Sequence, residues 1–157
     1  MRATTWNVQG RVGDWQERHR AIVTVLDDLA PDVVALQESW VTPGGATQAG
    51  QLAAELGWHA VTAAELAGFE RYPQAPYWVV NAVLSRWPLA IEAARPLRDE
   101  RGDETWRHAL LARVARPDDE GGPFLVAATH LEHGLDRSAT RLAQARHLAE
   151  CIGGVLG

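Results

Sequence analysis

The sequence contains no lysine, a single cysteine and no apolar run long enough to cross a lipid bilayer. The one thiol, Cys151, excludes a disulfide within the chain. No window approaches the roughly 18 apolar residues that a transmembrane helix needs. The N-terminus also lacks the apolar core of a signal peptide. From these absences we expect a soluble, cytoplasmic protein without a membrane span.

Basic residues are also fewer than acidic residues. All 15 basic residues are arginines, against 20 acidic residues, which gives a formal net charge of −5. Proteins that bind nucleic acid indiscriminately use excess basic charge to displace counterions from phosphates, so that activity is disfavoured here. A local basic patch stays open, because arginine makes planar, bidentate contacts with phosphate. A biased, alanine-rich composition explains the missing lysine better than a phosphate-binding role does.

Strand and helix patterns alternate along the chain of 157 residues, 46% of which are hydrophobic. The pattern predicts a strand over residues 2–8 and then a helix, whose N-cap is Asp14 and which Pro31 ends. A continuous apolar run over 33–36 is typical of a strand buried on both faces. Strand, helix and strand in this order indicate a right-handed crossover between parallel neighbours. The sequence therefore predicts an α/β fold.

The rest of the chain predicts hairpins followed by a final helix. The expected elements are a helix over 46–56, strands over 58–62, 78–84, 89–94, 106–115 and 124–129, and a helix over 137–152 that Gly153 and Gly154 end. The apolar stripe of the last helix is expected to consist of Leu142, Ala145, Leu148, Ala149 and Ile152. Residues 64–77 predict a surface loop because they carry Pro73 and Pro76. Because hairpins join antiparallel strands, we expect a mixed sheet.

Three polar residues at predicted strand ends are candidates for a functional site. Asn7 closes the first strand, Glu38 follows the second, and His130 follows the strand over 124–129. Ligand sites gather at strand ends in α/β folds. A carboxylate there can hold a hard cation such as Mg²⁺, and an amide or an imidazole can contact phosphate. Each residue also has an ordinary explanation, namely a solvated glutamate, an Asx-turn or a loop histidine.

A zinc pair is an alternative interpretation of the region after the strand over 124–129. His130 and His133 stand three residues apart, with Glu132 between them. Zinc sites need three or four ligands, and the sequence offers no further histidine or cysteine cluster. The zinc interpretation is therefore weak.

Four motifs, taken in order, resemble the endonuclease/exonuclease/phosphatase family, whose members are similar to DNase I. They are Trp6-Asn7-Val8-Gln9-Gly10, Leu36-Gln37-Glu38, Asn81-Ala82-Val83-Leu84-Ser85-Arg86 and Thr129-His130-Leu131, and an Arg141-Leu142-Ala143-Gln144 helix follows them. The family usually has glycine at the position of Asn81. The resemblance implies a DNase I-like sandwich of mixed sheets flanked by helices. It also implies hydrolysis of phosphoester or phosphodiester bonds with Mg²⁺, or Mn²⁺, as cofactor.

The resemblance further implies a role for individual residues. Glu38 and Asn7 are expected to bind the metal, with Asn7 and His130 as catalytic residues. Arg86 and Arg107 are expected to bind the substrate, which is a phosphoester. The acidic net charge favours a small molecule over bulk nucleic acid as that substrate.

Two later motifs of the family, Gly-Asp-x-Asn and Ser-Asp-His, do not occur in the sequence. The general base of the family reaction belongs to these motifs, and losing a general base typically costs about 10²–10⁴-fold in rate. We therefore expect residues 1–157 to form a single incomplete domain that lacks the C-terminal part of the fold, with residues 155–157 beginning its next strand. The alternative is an inactive remnant that serves as a binding or interaction module, pairing or self-associating through an exposed sheet.

Overall fold

The computed structural model of the protein describes residues 1–65 and 76–157. Its strands and α-helices are β1 (Ala3–Asn7), α1 (Trp15–Leu29), β2 (Val33–Val41), α2 (Gln48–Leu56), β3 (His59–Thr62), β4 (Trp78–Ser85), β5 (Leu89–Arg98), β6 (Glu104–Val114), β7 (Phe124–Thr129) and α3 (Ser138–Leu156). Most of the predicted loop over residues 64–77, including Pro73, lies outside the described residues. The alternation of strands and helices confirms the α/β class.

The strands form two sheets that pack face to face. The first sheet has the order β1-β2-β4-β3, and the second has the order β5-β6-β7. β1 and β2 are parallel, as the crossover pattern predicts, whereas β2–β4, β3–β4 and both pairs of the second sheet are antiparallel. The mixed-sheet sandwich expected from the sequence is therefore confirmed.

Alternation along the strands divides the core into two layers. Val34 and Leu36 of β2 point to one face of the first sheet and are buried with Ile22 and Leu26 of α1. Val33 points to the other face and packs between the sheets, with a cluster made up of Val61, Val83, Leu110, Ala112 and Ala128. α3 packs against β5 on the far side of the second sheet. Because both faces of β2 are covered, its residues form a continuous apolar run.

Helix caps explain where α1 and α2 begin and end. The Asp14 carboxylate accepts a hydrogen bond from the Glu17 amide, and the Thr47 hydroxyl accepts one from the Gly50 amide. Gly57 ends α2 in the left-handed conformation that glycine adopts at low cost. The predicted bounds of both helices are confirmed to within two residues.

The prediction for the last helix was wrong at its C-terminal end. α3 continues through Gly153 and Gly154 to Leu156, so that Val155 and Leu156 are helical and do not begin a strand. Neither glycine has a positive φ, and a glycine stops a helix through a left-handed cap, not merely through its presence. The expected burial was wrong for Leu142, Ala145 and Ala149, which are exposed, whereas Leu148 and Ile152 are half-buried. The buried residues of α3 are Thr140 and Gln144.

The second sheet has longer strands than predicted. β5 runs to Arg98 and β6 begins at Glu104, so part of the polar, arginine-rich stretch over residues 92–103 is strand. Its polar side chains alternate with partly buried ones, which a hydrophobicity pattern does not detect. None of the helices in the described part of the chain combines the length and the apolar character of a membrane span.

Candidate functional site

The parallel pairing of β1 with β2 places Asn7 next to Glu38. Asn7 is opposite Gln37 in the register, and its amide nitrogen donates to Oε1 of Glu38 at 3.0 Å. The amide oxygen of Asn7 accepts from the backbone N–H of Gln9 at 3.0 Å. Asn7 thus holds the Glu38 carboxylate through its amide nitrogen. Its oxygen accepts one hydrogen bond and carries a second lone pair, which a cation can use.

Glu38 occupies a bulge inside β2. The sequence predicts a strand end here, but β2 continues to Val41, with a register shift against β4 between Leu36 and Ser39. The φ of Glu38 is 57°, in the left-handed region that non-glycine residues rarely adopt. A bulge inserts one residue and re-aims a side chain. The strained backbone thus turns the carboxylate out of the ladder, and its carbonyl accepts from the Gly10 amide at 2.9 Å.

The loop after β1 is fixed on its outer side by Arg18 of α1. The guanidinium of Arg18 donates to four backbone carbonyls, those of Val8, Gln9, Gly10 and Val12, over 2.8 to 3.4 Å. Gln9 has a φ of 58°. Gly10 has a φ of 50°, and a Cβ there would stand 2.8 Å from Val79. The guanidinium of Arg18 therefore satisfies four carbonyls of this loop. The approach of Val79 to Gly10 leaves no room for a side chain there.

His130 reaches the same place from the second sheet. It follows β7, and its Nδ1 lies 3.8 Å from Oε1 of Glu38. This distance exceeds that of a hydrogen bond, so Glu38 does not fix the tautomer of the ring. Burial lowers the pKa of His130, the nearby Arg107 charge lowers it further, and Glu38 opposes them. The lowered pKa favours the neutral ring at pH 7.

Arg107 lies beside His130 and is only 3% exposed. Its Nη2 contacts Nδ1 of His133 at 2.7 Å, and its guanidinium carbon lies 3.6 Å from the ring centre of Trp106. Its Nε is buried and has no hydrogen-bond partner among the described residues. Burial lowers the pKa of Arg107, and the carboxylates of Glu132 and Glu38 counteract that effect. A guanidinium keeps its charge under such conditions.

The segment after β7 is held in place by α3. Gln144 is fully buried and accepts from the Glu132 amide at 2.8 Å, while Arg141 donates to the Gly134 carbonyl. The Glu132 carboxylate accepts from the amides of His133 and Gly134. Burial would raise the pKa of Glu132, but these two hydrogen bonds and the Arg107 charge lower it overall. The Arg-x-x-Gln pattern of α3 thus positions the His130 segment.

A pocket connects these groups. Its polar lining consists of Glu38, Asn81, Arg107, His108 and His130, and its apolar lining consists of Ala63, Trp78, Val79, Val80 and Trp106. Sequence reasoning found Glu38, Arg107 and His130 but missed the apolar wall and the contribution of Asn81. Trp106 lies in the strand predicted over residues 106–115, but the sequence alone does not show that its side chain is exposed.

Two sequence expectations are not supported by the site geometry. Ser85, next to Arg86, pairs with Val33, five residues and roughly 16 Å of strand from Glu38. The Arg86 side chain donates to the Pro31 carbonyl at 3.0 Å, so the structure does not bring it to the pocket. His133 is 76% exposed and contacts Arg107. A guanidinium donating to its Nδ1 is incompatible with a zinc ion on that atom.

The donor set fits a hard divalent cation. Glu38 supplies one carboxylate, and Mg²⁺ is typically held by one or two carboxylates, waters and substrate phosphates. Within residues 1–65 and 76–157, no three side chains of histidine, cysteine, aspartate or glutamate are grouped around a common point. The site therefore fits an ion that takes few protein ligands better than it fits zinc.

Comparison with protein families places this chain among known sequences. A family described as the Endonuclease/Exonuclease/phosphatase family matches residues 4–148. Comparison with curated proteins finds no significant match.

Solved structures with the same fold come from bacteria and animals. An endonuclease/exonuclease/phosphatase from Beutenbergia cavernae DSM 12333 is 24% identical, with a TM-score of 0.70 over 96% of this chain and 43% of its own. The human Nocturnin catalytic domain, solved with a bound sulfate anion, is 20% identical, with a TM-score of 0.73 over 99% of this chain and 58% of its own. TDP2 from D. rerio, complexed with a single-strand DNA product, is 20% identical, with a TM-score of 0.64 over 95% of this chain and 53% of its own. The chain spans about half the length of these structures.

Proposed function

Because the chain belongs to the endonuclease/exonuclease/phosphatase family, we propose that it forms one edge of a site for divalent-metal-dependent phosphoester hydrolysis. The observation that carries this proposal is the meeting of Glu38 from one sheet with His130 from the other, 3.8 Å apart, beside the buried Arg107. A carboxylate, a neutral imidazole and a guanidinium in one pocket match the needs of a phosphate bound with a cation.

In this proposal Glu38 is the metal ligand and Asn7 is the residue that positions it. Mg²⁺ is the expected cofactor, with Mn²⁺ as a substitute. When bound, the cation neutralises phosphate charge and stabilises the leaving oxygen. Asn7 donates to the carboxylate and keeps its orientation. Partners that orient a metal ligand typically contribute 10–100-fold to metal affinity.

His130 and Arg107 are the proposed phosphate contacts. The lowered pKa of His130 keeps one ring nitrogen protonated and the other free, so that the ring can donate to a non-bridging oxygen. Arg107 presents a guanidinium that burial has already stripped of water, and guanidinium binds phosphate in a bidentate manner. Arg86 is not part of this proposal because it lies at the other end of the sheet.

Binding of Mn²⁺ tests the metal edge directly. We expect the chain to bind Mn²⁺ in a titration followed by electron paramagnetic resonance. Glu38→Gln should weaken binding at least 10-fold, and Asn7→Ala should weaken it about 10–100-fold. Glu92→Gln is the matched control, since Glu92 is ion-paired with Arg113 on the second sheet. Unchanged Mn²⁺ affinity in Glu38→Gln would contradict the proposal.

Hydrolysis of bis(p-nitrophenyl) phosphate with Mg²⁺ tests the chemistry. The sequence carries neither Gly-Asp-x-Asn nor Ser-Asp-His, so we expect turnover by this chain to be about 10²–10⁴-fold below that of an enzyme with a general base. Residual turnover should fall in His130→Ala and in Glu38→Gln. Turnover that survives Glu38→Gln would exclude Glu38 from the reaction.

An interaction module is the second candidate function, and the strand order favours it. Within the described residues, β1 and β7 each pair with one neighbour and form open edges of their sheets. Open edges offer unpaired backbone groups to another strand. Thr5→Lys on β1 should then reduce self-association measured by analytical ultracentrifugation, whereas Thr24→Lys on α1 should not. Sedimentation as a monomer at all concentrations would contradict self-association through these edges.

A further inference from the structure

His133 lies outside the pocket beside Glu38 but contacts one of the groups that line it. Its side chain is 76% exposed, and it is not part of the pocket lining. Its Nδ1 nonetheless lies 2.7 Å from Nη2 of Arg107, which does line the pocket and is only 3% exposed. A ring at the surface therefore reaches a buried cation of the site, although water is available to it as an alternative partner.

The direction of this hydrogen bond follows from the chemistry of the two groups. A guanidinium carries only donors, so Nη2 of Arg107 donates and Nδ1 of His133 accepts. The imidazole in this arrangement is neutral and carries its proton on Nε2. Oε1 of Glu132 lies 3.3 Å from the same Nδ1, but the pKa of this carboxyl group is lowered, so the ionised group has no proton to donate. Arg107 is therefore the donor to Nδ1.

The backbone on both sides of His133 is held in place. The Glu132 carboxylate accepts from the amides of His133 and Gly134 at 2.8 and 3.3 Å. The Glu132 amide donates to the fully buried Gln144 at 2.8 Å, and Arg141 donates to the Gly134 carbonyl. Because Gln144 and Arg141 belong to α3, the helix presents the His133 ring from a fixed backbone.

The hydrogen bond restricts the side chain of Arg107. Its guanidinium carbon lies 3.6 Å from the ring centre of Trp106, which covers one face of the guanidinium, while His133 binds Nη2 at its edge. Together these contacts fix the plane of the guanidinium and the direction of its other N–H donors. Ordering a long side chain during binding weakens affinity, so a guanidinium that is ordered beforehand binds an anion more tightly.

We propose that His133 is a positioning residue, which orients the Arg107 guanidinium towards a phosphate without contacting the phosphate itself. This inference rests on the proposed function, in which Arg107 is a phosphate contact. A planar guanidinium binds phosphate through two parallel N–H donors, so the direction of its plane decides whether both can reach the ligand. The bond to His133 uses one donor of Nη2 and leaves the others for the phosphate.

Phosphate affinities of variants at His133 test the proposal. Dissociation constants for inorganic phosphate are measured by calorimetry in the presence of Mg²⁺. His133→Ala removes the acceptor and should weaken binding roughly 2- to 12-fold, the cost of ordering one long side chain. His133→Asn, whose amide oxygen can take the place of Nδ1, should restore most of the affinity. Equal affinities of His133→Ala and the unmodified chain would overturn the proposal, as would an affinity of His133→Asn no higher than that of His133→Ala.

Two comparisons assign the effect to Arg107. His59→Ala is the matched control, because His59 is an exposed histidine of β3 that pairs with Ser85, away from Glu38, and it should leave phosphate affinity unchanged. In an Arg107→Met background, His133→Ala should have no further effect, since no guanidinium is left to orient. A loss of equal size in both backgrounds would show that His133 acts independently of Arg107 and would overturn the proposal.

Nuclear magnetic resonance of the imidazole nitrogens separates failure of this inference from failure of the proposed function. The Nδ1 resonance of His133 reports on the hydrogen bond in the chain without phosphate, and Arg107→Met should shift it. An unchanged resonance would overturn the positioning contact and leave phosphate binding by Arg107 intact. A shifted resonance in a chain that binds no phosphate would instead refute the proposed phosphate contacts, and the role of His133 with them.

Discussion

The two ends of the sandwich use arginine in opposite ways. At one end, where β4 finishes, Arg86 donates its Nε to the Pro31 carbonyl, and its backbone N–H bonds to the Asp32 carbonyl. At the other end, Arg107 is almost fully buried, contacts His133, and keeps an Nε without a partner among the described residues. Of these two arginines, only Arg107 has a buried donor without a hydrogen-bond partner among the described residues.

Backbone conformation also differs between the two ends of the sandwich. Gln9 and Glu38, both at the pocket end, have φ values of 58° and 57°. At the end that contains Arg86, the non-glycine residue with a positive φ is Ala30. Ala30 is the C-cap of α1, where a left-handed residue is ordinary. Strain held by non-glycine residues in a strand and its adjoining loop is typical of functional sites. The comparison indicates that backbone strain outside helix caps lies at the end that holds the pocket.

Arg18 provides the largest expected effect on stability. Arg18→Met keeps much of the apolar stem but leaves four loop carbonyls without their donor, so we expect a loss of about 3 kcal/mol in the free energy of unfolding. Arg20→Met, which removes an exposed pair with Glu17, should cost at most about 0.5 kcal/mol. Urea denaturation measures both, and equal losses would show that the pocket-end loop does not depend on Arg18.

Exchanging the two arginines for methionine tests the comparison itself. Arg86→Met should lower the free energy of unfolding by about 1–2 kcal/mol, since a carbonyl loses a charged donor, with inorganic phosphate affinity unchanged. Arg107→Met should weaken phosphate binding about 10-fold or more while stability changes by within about 1 kcal/mol. Calorimetric phosphate titration and urea denaturation of each variant give the four values. A larger stability loss in Arg107→Met than in Arg86→Met would break the comparison.

Glu132 makes the stability of the pocket end depend on pH. Its pKa in the folded chain lies below the ordinary value of 4.5, so its ionised form adds stability above that value, which is lost as the pH falls through the folded pKa. Glu132→Gln should therefore lower stability at pH 7, by about 0.5–1 kcal/mol for a weakened hydrogen bond to the His133 amide. The difference in the free energy of unfolding between the unmodified chain and Glu132→Gln should shrink towards pH 3. A constant difference would show that the ionised carboxylate does not cause it.

The smallest expected effect is a gain. Gln9 hydrogen bonds through its backbone amide and carbonyl, so Gln9→Gly keeps these bonds and relieves the positive φ. We expect the free energy of unfolding to rise by roughly 0.5–1 kcal/mol. Gln51→Gly in the middle of α2 should instead cost about 1 kcal/mol. Thermal unfolding compares the two, and destabilisation by Gln9→Gly would mean that this loop is not strained.

Local patterns were sufficient for most of the fold. The run over residues 33–36, the cap at Asp14 and the stop at Gly57 are properties of a few neighbouring residues, and the structure has them where the sequence indicates. The end of α3 was missed because a pair of glycines specifies a stop only when the backbone turns left-handed there. Burial along α3 was missed because Gln144 is buried by its hydrogen bonds to Glu132 and Thr105, which no apolar stripe predicts.

Site residues were predictable where strand position alone places them. Asn7 and Glu38 lie next to each other because β1 and β2 are parallel neighbours, and this follows from the crossover pattern. The bulge at Glu38 and the apolar wall could not be predicted, because both depend on the pairing of β2 with β4 and on the approach of the second sheet. The displacement of Arg86 also depends on the antiparallel direction of β4.

The sequence by itself determined the α/β class, the parallel start, the family and the chemical types that its strands can present. These properties follow from periodicity, caps and short motifs, which act over a few residues. Only the tertiary structure decided which of those side chains meet: Glu38 with His130, Arg107 with Trp106, and Arg86 with a backbone carbonyl far from both. The reason is physical, because strand direction, register and sheet packing are set by contacts between segments that lie far apart in the chain.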